Sequence, residues 1–225
     1  MITEQQKAEW LYRLSSLHVR KWPYPHAILN RTVPAALYRQ MLDNIPPHEE
    51  FVPLNSTGRV GKGAYPQRFI YDQANAFWAR VRDFLLTPEF GLALATPFGA
   101  ASHLEQNRAW GMDTLFIEDL PGYRIGPHAD ARHKFISALF YLGTEKENDR
   151  WGTSIYLPKD HADVDPYSGR HYEFEQFQRV TTIPYLPNHG LMFLKNDRSW
   201  HGVEQIPAIE GERRIVLLAD IKLRS

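Results

Sequence analysis

The stretch from Gly122 to Phe135, GYRIGPHADARHKF, sets an imidazole, a carboxylate and a second imidazole at His128, Asp130 and His133, just ahead of an apolar run. Residues i and i+2 of a strand project from the same face with α-carbons roughly 6 to 7 Å apart, so His128 and Asp130 can present a nitrogen and an oxygen to one shared point. Two neighbours in one strand cannot close a facial coordination triangle, so a third ligand has to come from elsewhere. His201, in the short run Ser199-Trp200-His201-Gly202-Val203, is the best candidate if the two strands lie side by side. Two His and one carboxylate with open positions suit non-haem Fe(II) and O₂ chemistry, and the same trio also suits a hydrolytic zinc. His133, three residues past Asp130 and beyond an expected turn, reads as solvated; His103, His171 and His189 read as loop residues.

A last β-rich run begins Gly211-Glu212-Arg213-Arg214-Ile215-Val216, with basic residues at its mouth. A guanidinium there can grip a carboxylate through two hydrogen bonds. With His128-Ala129-Asp130, then His201, then Arg213, the chain resembles the His-x-Asp…His…Arg signature of the 2-oxoglutarate- and Fe(II)-dependent dioxygenases. KFISALFYL resembles that family's strand ending in Tyr-Leu, WGTSIYLP its Gly-Gly-x-Leu hairpin and LMFLKNDRSWHGV its strand-turn-His segment, while PYPHAILN resembles the helical opening of the prolyl-hydroxylase-like branch.

The resemblance implies a double-stranded β-helix, a cupin-like jelly roll with N-terminal helical support, and it implies an activity. Fe(II) would be held by His128, Asp130 and His201. 2-Oxoglutarate would chelate the metal and place its far carboxylate on Arg213, with a hydrogen bond from Tyr141. O₂ would then be consumed to give succinate, CO₂ and a hydroxylated product. Spacing in the family favours Arg213 over Arg214, and strand alternation sends the two to opposite faces. Ile215 stands where a serine often follows the arginine, so the clamp would rely on Tyr141 or another donor. Related halogenases carry a small residue at the position of Asp130, so halogenation is not expected.

Around these residues the pattern is of helices followed by strands. Thr3 and Gln6 have capping-box spacing ahead of Trp10, Leu11, Leu14 and Leu17. Pro34 suits the first turn of a second helix, and Asp72 can cap a third that Pro88 ends. From about Met112 eight short β-rich runs follow, near 113–118, 123–128, 134–142, 153–157, 180–185, 191–195, 199–203 and 213–221, the signature of an antiparallel sandwich or barrel. The expected organisation is one domain over 1–225, with 1–100 mainly helical support and 112–221 the jelly-roll core. The polar segment from Lys159 to Phe177 is too long for a hairpin and reads as a lid; its acidic excess would suit a cationic substrate. STGRVGKG lacks phosphate-loop spacing and reads as a loop from which Arg59, Lys62 and Arg68 could meet an anionic group.

Composition narrows the partners. Lys plus Arg and Asp plus Glu both number 26, so no global charge draws the chain to nucleic acid or an anionic membrane. There is no cysteine, which removes disulfides, thiolate metal sites and cysteine nucleophiles and suits a reducing cytoplasm. No apolar window approaches the ~18 residues of a membrane span, and the polar start of the chain does not read as a secretion signal. The reading that follows is a cytoplasmic hydroxylase with Fe(II), 2-oxoglutarate and O₂, acting on a small molecule such as an amino acid or biosynthetic intermediate. A peptidyl side-chain hydroxylase and a non-catalytic cupin-like binding protein are the alternatives, and the oligomeric state, monomer or homodimer, is left open.

Overall fold

Thr3 accepts from the Gln6 amide at 3.2 Å and its own amide donates to Gln6 Oε1 at 2.9 Å, closing the capping box at the head of α1 (Glu4–Ser15). The computed structural model describes residues 2–72, 75–106, 109–143, 148–208 and 213–223. Trp10 and Leu14 of α1 are fully buried. Four more helices follow: α2 (Ala35–Asp43), α3 (Ala76–Leu85), α4 (Pro88–Ala95) and α5 (Ala101–Gln106). Pro34 occupies the cap position of α2 rather than its first turn. Asn75, not Asp72, caps α3, its side-chain oxygen taking the amides of Phe77 and Trp78 at 3.1 and 2.9 Å. Pro88 does not simply end α3; it opens α4 behind the Thr87 cap, where its missing N–H costs nothing.

The first hundred residues also contribute three strands that periodicity did not reveal, β1 (His26–Asn30), β2 (Val52–Pro53) and β3 (Arg68–Ile70). PYPHAILN therefore ends in a strand, not a helical opening. The eight expected runs are all present: β4 (Trp110–Asp119), β5 (Ile125–His128), β6 (Lys134–Tyr141), β7 (Asn148–Pro158), β8 (Phe177–Tyr185), β9 (His189–Leu194), β10 (His201–Val203) and β11 (Arg214–Leu223). They divide into the two four-stranded halves of a jelly roll. β9-β6-β11-β4 form the centre of a sheet that β1, β3 and β2 extend to seven strands, and β5-β10-β7-β8 form the other sheet.

Alternation along the larger sheet separates two cores. Phe116, Ile136, Ala138, Phe140, Met192 and Leu217 face the helices and pack with Trp10, Phe84 and Phe90. Ile117, Tyr141, Leu191, Phe193 and Val216 face inward, against Trp151, Ile155, Ile183 and Val203 of the smaller sheet. Among the described residues no helix is long and apolar enough to cross a membrane.

Candidate metal centre and pocket

His128 ends β5 and His201 begins β10, and the two residues are direct partners in the antiparallel ladder. Their rings lie 4.3 Å apart. In each, Nδ1 faces the carbonyl two residues earlier, Gly126 O at 3.0 Å and Ser199 O at 2.9 Å. A carbonyl only accepts, so each Nδ1 carries the proton and each Nε2 lone pair is left free. Asp130 lies just past the end of β5, not within a strand as alternation suggests. Its Oδ1 stands 3.9 Å from His128 Nε2. One ligand atom from each of His128, Asp130 and His201 falls within 4.8 Å of the others, the spacing of a set that can close on one ion. His133 is exposed and away from this group.

Asp130 is held by side chains of β6. Ser137 Oγ donates to its Oδ2 at 2.8 Å, and Lys134 Nζ lies 3.3 Å from Oδ1 and 3.0 Å from Asp220 Oδ2. Burial pushes the Asp130 carboxyl up, but the Lys134 ammonium, with the Ser137 hydrogen bond adding to it, holds it below the usual carboxylate range. Burial also lowers both imidazoles, His128 well below its ordinary value with His201 adding to the effect. The three groups thus sit as two neutral imidazoles and a carboxylate, the forms that bind a metal.

The triad lines a cavity of about 80 Å³ between the two sheets, together with Arg68, Lys134, Ser137, Thr153 and Arg214. Arg213 is not there. β11 begins with Arg214 opposite Asp119, so alternation turns Arg214, Val216 and Leu218 inward and leaves Arg213 on the helix side. Arg213 pairs instead with Glu118 and donates to Pro46 O at 2.8 Å. The placement expected for Arg213 belongs to Arg214, whose fully buried guanidinium pairs with Asp119 and donates to Trp151 O at 2.6 Å. Thr153 Oγ1 lies 3.5 Å from Arg214 Nη2 and brings a hydroxyl to a clamp in which Ile215 faces away. Tyr141 belongs to the inner core. Its ring stands 5.8 Å from the Arg214 guanidinium and its hydroxyl accepts from the Thr153 amide at 3.0 Å.

The segment between β7 and β8 covers this region. Tyr172 N donates to Pro127 O at 3.0 Å along the free edge of β5, which sets the His171 ring 4.6 Å from that of His128. The Tyr65 hydroxyl, from the loop before β3, reaches His171 Nε2 at 3.0 Å. Two acidic residues of the segment are engaged locally: Glu173 pairs with Arg124 and Asp165 accepts from the Tyr167 amide.

Sequence reasoning passed over His171, Asp119, Lys134 and Ser137. Ser137 and Asp220 did carry a signal, as polar residues inside the apolar runs KFISALFY and RIVLLADIKL; they are cross-strand partners. His171 carried none, because a histidine in a polar loop has no periodicity to mark it.

No protein-family model and no curated protein matches the chain. Solved structures do. The fold is similar to that of a prolyl-4-hydroxylase from Pseudomonas putida, with 13% identity, 98% of this chain and 100% of that one covered, and a TM-score of 0.52. HygX from Streptomyces hygroscopicus, solved with nickel and 2-oxoglutarate bound, is 10% identical over 99% of this chain and 88% of its own, with a TM-score of 0.51. The α-ketoglutarate-dependent carbocyclase SnoK from nogalamycin biosynthesis is 13% identical over 99% and 87%, also with a TM-score of 0.51. At these identities the likeness is one of fold.

Proposed function

We propose that the chain is a non-haem Fe(II)- and 2-oxoglutarate-dependent oxygenase that hydroxylates an unactivated C–H bond of a small molecule, with release of succinate and CO₂. The observation that carries this reading is the convergence of His128, Asp130 and His201 with both Nε2 atoms unencumbered. Two His and one carboxylate on one side of an ion leave positions for a chelating cosubstrate and O₂. Bound there, the ferrous ion and 2-oxoglutarate together supply the electrons that O₂ activation requires.

The protein's own residues orient and enclose. His128 and His201 supply nitrogen ligands on a shared ladder, and Ser137 and Lys134 keep the Asp130 carboxylate turned toward them. Arg214, fixed by Asp119 and Trp151 O, meets the far carboxylate of the cosubstrate with Tyr141 behind it. Charge supports a doubly negative cosubstrate. Arg68, Lys134 and Arg214 balance Asp119, Asp130 and Asp220 around the cavity, so a divalent ion brings two positive charges that a dicarboxylate neutralises. The His171 ring, 4.6 Å from that of His128 and hydrogen-bonded to Tyr65, narrows the approach to the metal ligands, which favours a small molecule over a peptide.

Anaerobic loading with Fe(II), followed by O₂ and 2-oxoglutarate with candidate small molecules, tests the reading. Stoichiometric iron and 2-oxoglutarate-dependent succinate are expected, and both are expected to vanish in His128→Ala. Iron and 2-oxoglutarate binding without succinate points to a cupin-like binding protein; O₂-independent hydrolysis by the zinc form points to a hydrolase. Succinate stimulated by proline-bearing peptides and by no small molecule replaces the substrate class alone.

A further inference from the structure

One wall of the cavity carries a row of charge in register. Arg68 on β3 lies opposite Asp119 on β4, and Asp119 lies opposite Arg214 on β11. The Asp119 carboxylate accepts Arg68 Nε at 2.6 Å and Nη2 at 2.9 Å, and it also pairs with Arg214. One carboxylate between two guanidinium groups leaves one positive charge at this end of the cavity, where the side chains of Arg68, Asp119 and Arg214 are only 17%, 0% and 1% exposed. The matching negative charge lies at the metal end, where Asp130 and Asp220 share Lys134 and where a divalent ion would take it up. A surplus charge so far from water is costly unless a counter-charge joins it.

An independent feature points the same way. The Arg68 guanidinium sits 4.2 Å from the centre of the Tyr123 ring, and the Tyr123 hydroxyl is buried with no hydrogen-bond partner among the described residues. Buried polar groups are nearly always paired. An unpaired phenol donor beside a surplus cation is the complement of a carboxylate.

We infer that Arg68, helped by the Tyr123 hydroxyl, is a second clamp on the far carboxylate of the dicarboxylate cosubstrate, which is received between two guanidinium groups aligned by Asp119. This rests on the oxygenase reading and adds to it a residue from outside the jelly-roll strands. It also ties cosubstrate to cover: the Arg68 amide donates to Tyr65 O at 2.9 Å, and Tyr65 is the residue that reaches His171.

The test compares 2-oxoglutarate with 2-oxobutyrate, which keeps the chelating end but lacks the far carboxylate, by calorimetry on the full chain loaded with Ni(II). Wild type is expected to bind the dicarboxylate more tightly. Arg68→Met is expected to lose about 10- to 100-fold in 2-oxoglutarate affinity, the scale of a charge-assisted contact, with 2-oxobutyrate unchanged. Arg68→Lys keeps the charge without the fork and falls between; Tyr123→Phe loses less than Arg68→Met. Ni(II) affinity serves as the folding control, and if Arg68→Met does not fold, Arg68→Lys decides on the same comparison. Parallel loss for both ligands, or no loss for either, overturns the clamp. A wild type that does not prefer 2-oxoglutarate to 2-oxobutyrate overturns instead the cosubstrate reading on which the clamp rests.

Discussion

Asp130 lies beyond the last ladder position of β5, so its carboxylate depends on neighbouring side chains for its aim. Ser137 and Lys134 provide it, and Asp220 keeps Lys134 in place. Removing an outer hydrogen bond of this kind typically costs about 10- to 100-fold in metal affinity. Ser137→Ala is therefore expected to weaken Ni(II) or Fe(II) binding by at least about 10-fold, as read by calorimetry, with little change in secondary structure by circular dichroism. Unchanged metal affinity would show that the aspartate is held by its backbone alone. The adjacent arginines separate two roles on the same strand. Arg214→Met is expected to raise the dissociation constant for 2-oxoglutarate sharply, because that guanidinium faces the cavity. Arg213→Met is expected to leave it unaltered and to lower the melting temperature, since Glu118, whose side chain is 1% exposed, loses its arginine partner. The reverse pattern would return the anchor to Arg213.

At the scale of elements, the edge of β5 joins the metal site to its cover. A Cβ on Gly126 would fall 2.2 Å from Tyr172 O, so only glycine lets the covering segment approach closely enough for Tyr172 N to reach Pro127 O. Gly126→Ala is expected to free that segment, with faster amide exchange and proteolysis between Lys159 and Gln176; unaltered protection there would mean that the Arg124–Glu173 and Lys195 contacts hold it without the strand edge. What the sequence made legible follows from how local each signal is. The Thr3 capping box and the eight later strands are written in neighbouring residues and in alternation; His128 and Asp130 are neighbours in the chain, but Asp130 sits past the end of β5, where alternation no longer sets its direction. β2 and β3 are too short for a period to show, and pairing with β4 is what makes β3 a strand. The choice between Arg213 and Arg214 turned on a shift of one residue in register. That shift is fixed by Asp119 across the ladder, a long-range partner that spacing along β11 does not contain.

Across the whole molecule, the larger sheet is a partition with the helical core on one side and the cavity on the other. Trp10 anchors the helical side: it is fully buried and meets Phe84, Phe90 and Phe140 with ring centroids 5.8, 5.3 and 5.4 Å away. Phe140 lies on β6, and its neighbours Leu139 and Tyr141 face the other way, Leu139 onto the cavity and Tyr141 into the inner core. Truncating a buried tryptophan costs about 3–5 kcal/mol, through the apolar burial it gives up and the cavity it leaves. For a chain of this length each kcal/mol corresponds to roughly 2–4 °C, so Trp10→Ala is expected to melt about 6–20 °C lower. The ligands, however, are held by the ladder between β5 and β10 and by the inward side chains of β6, none of which touches Trp10. Metal affinity well below the transition is therefore expected to stay within about threefold of wild type, as distant sites behave nearly independently. Calorimetric melting and Ni(II) titration of the same preparation measure both. A large loss of affinity alongside the lower melting temperature would mean that the helical layer tunes the position of β6, and through Ser137 the aim of Asp130.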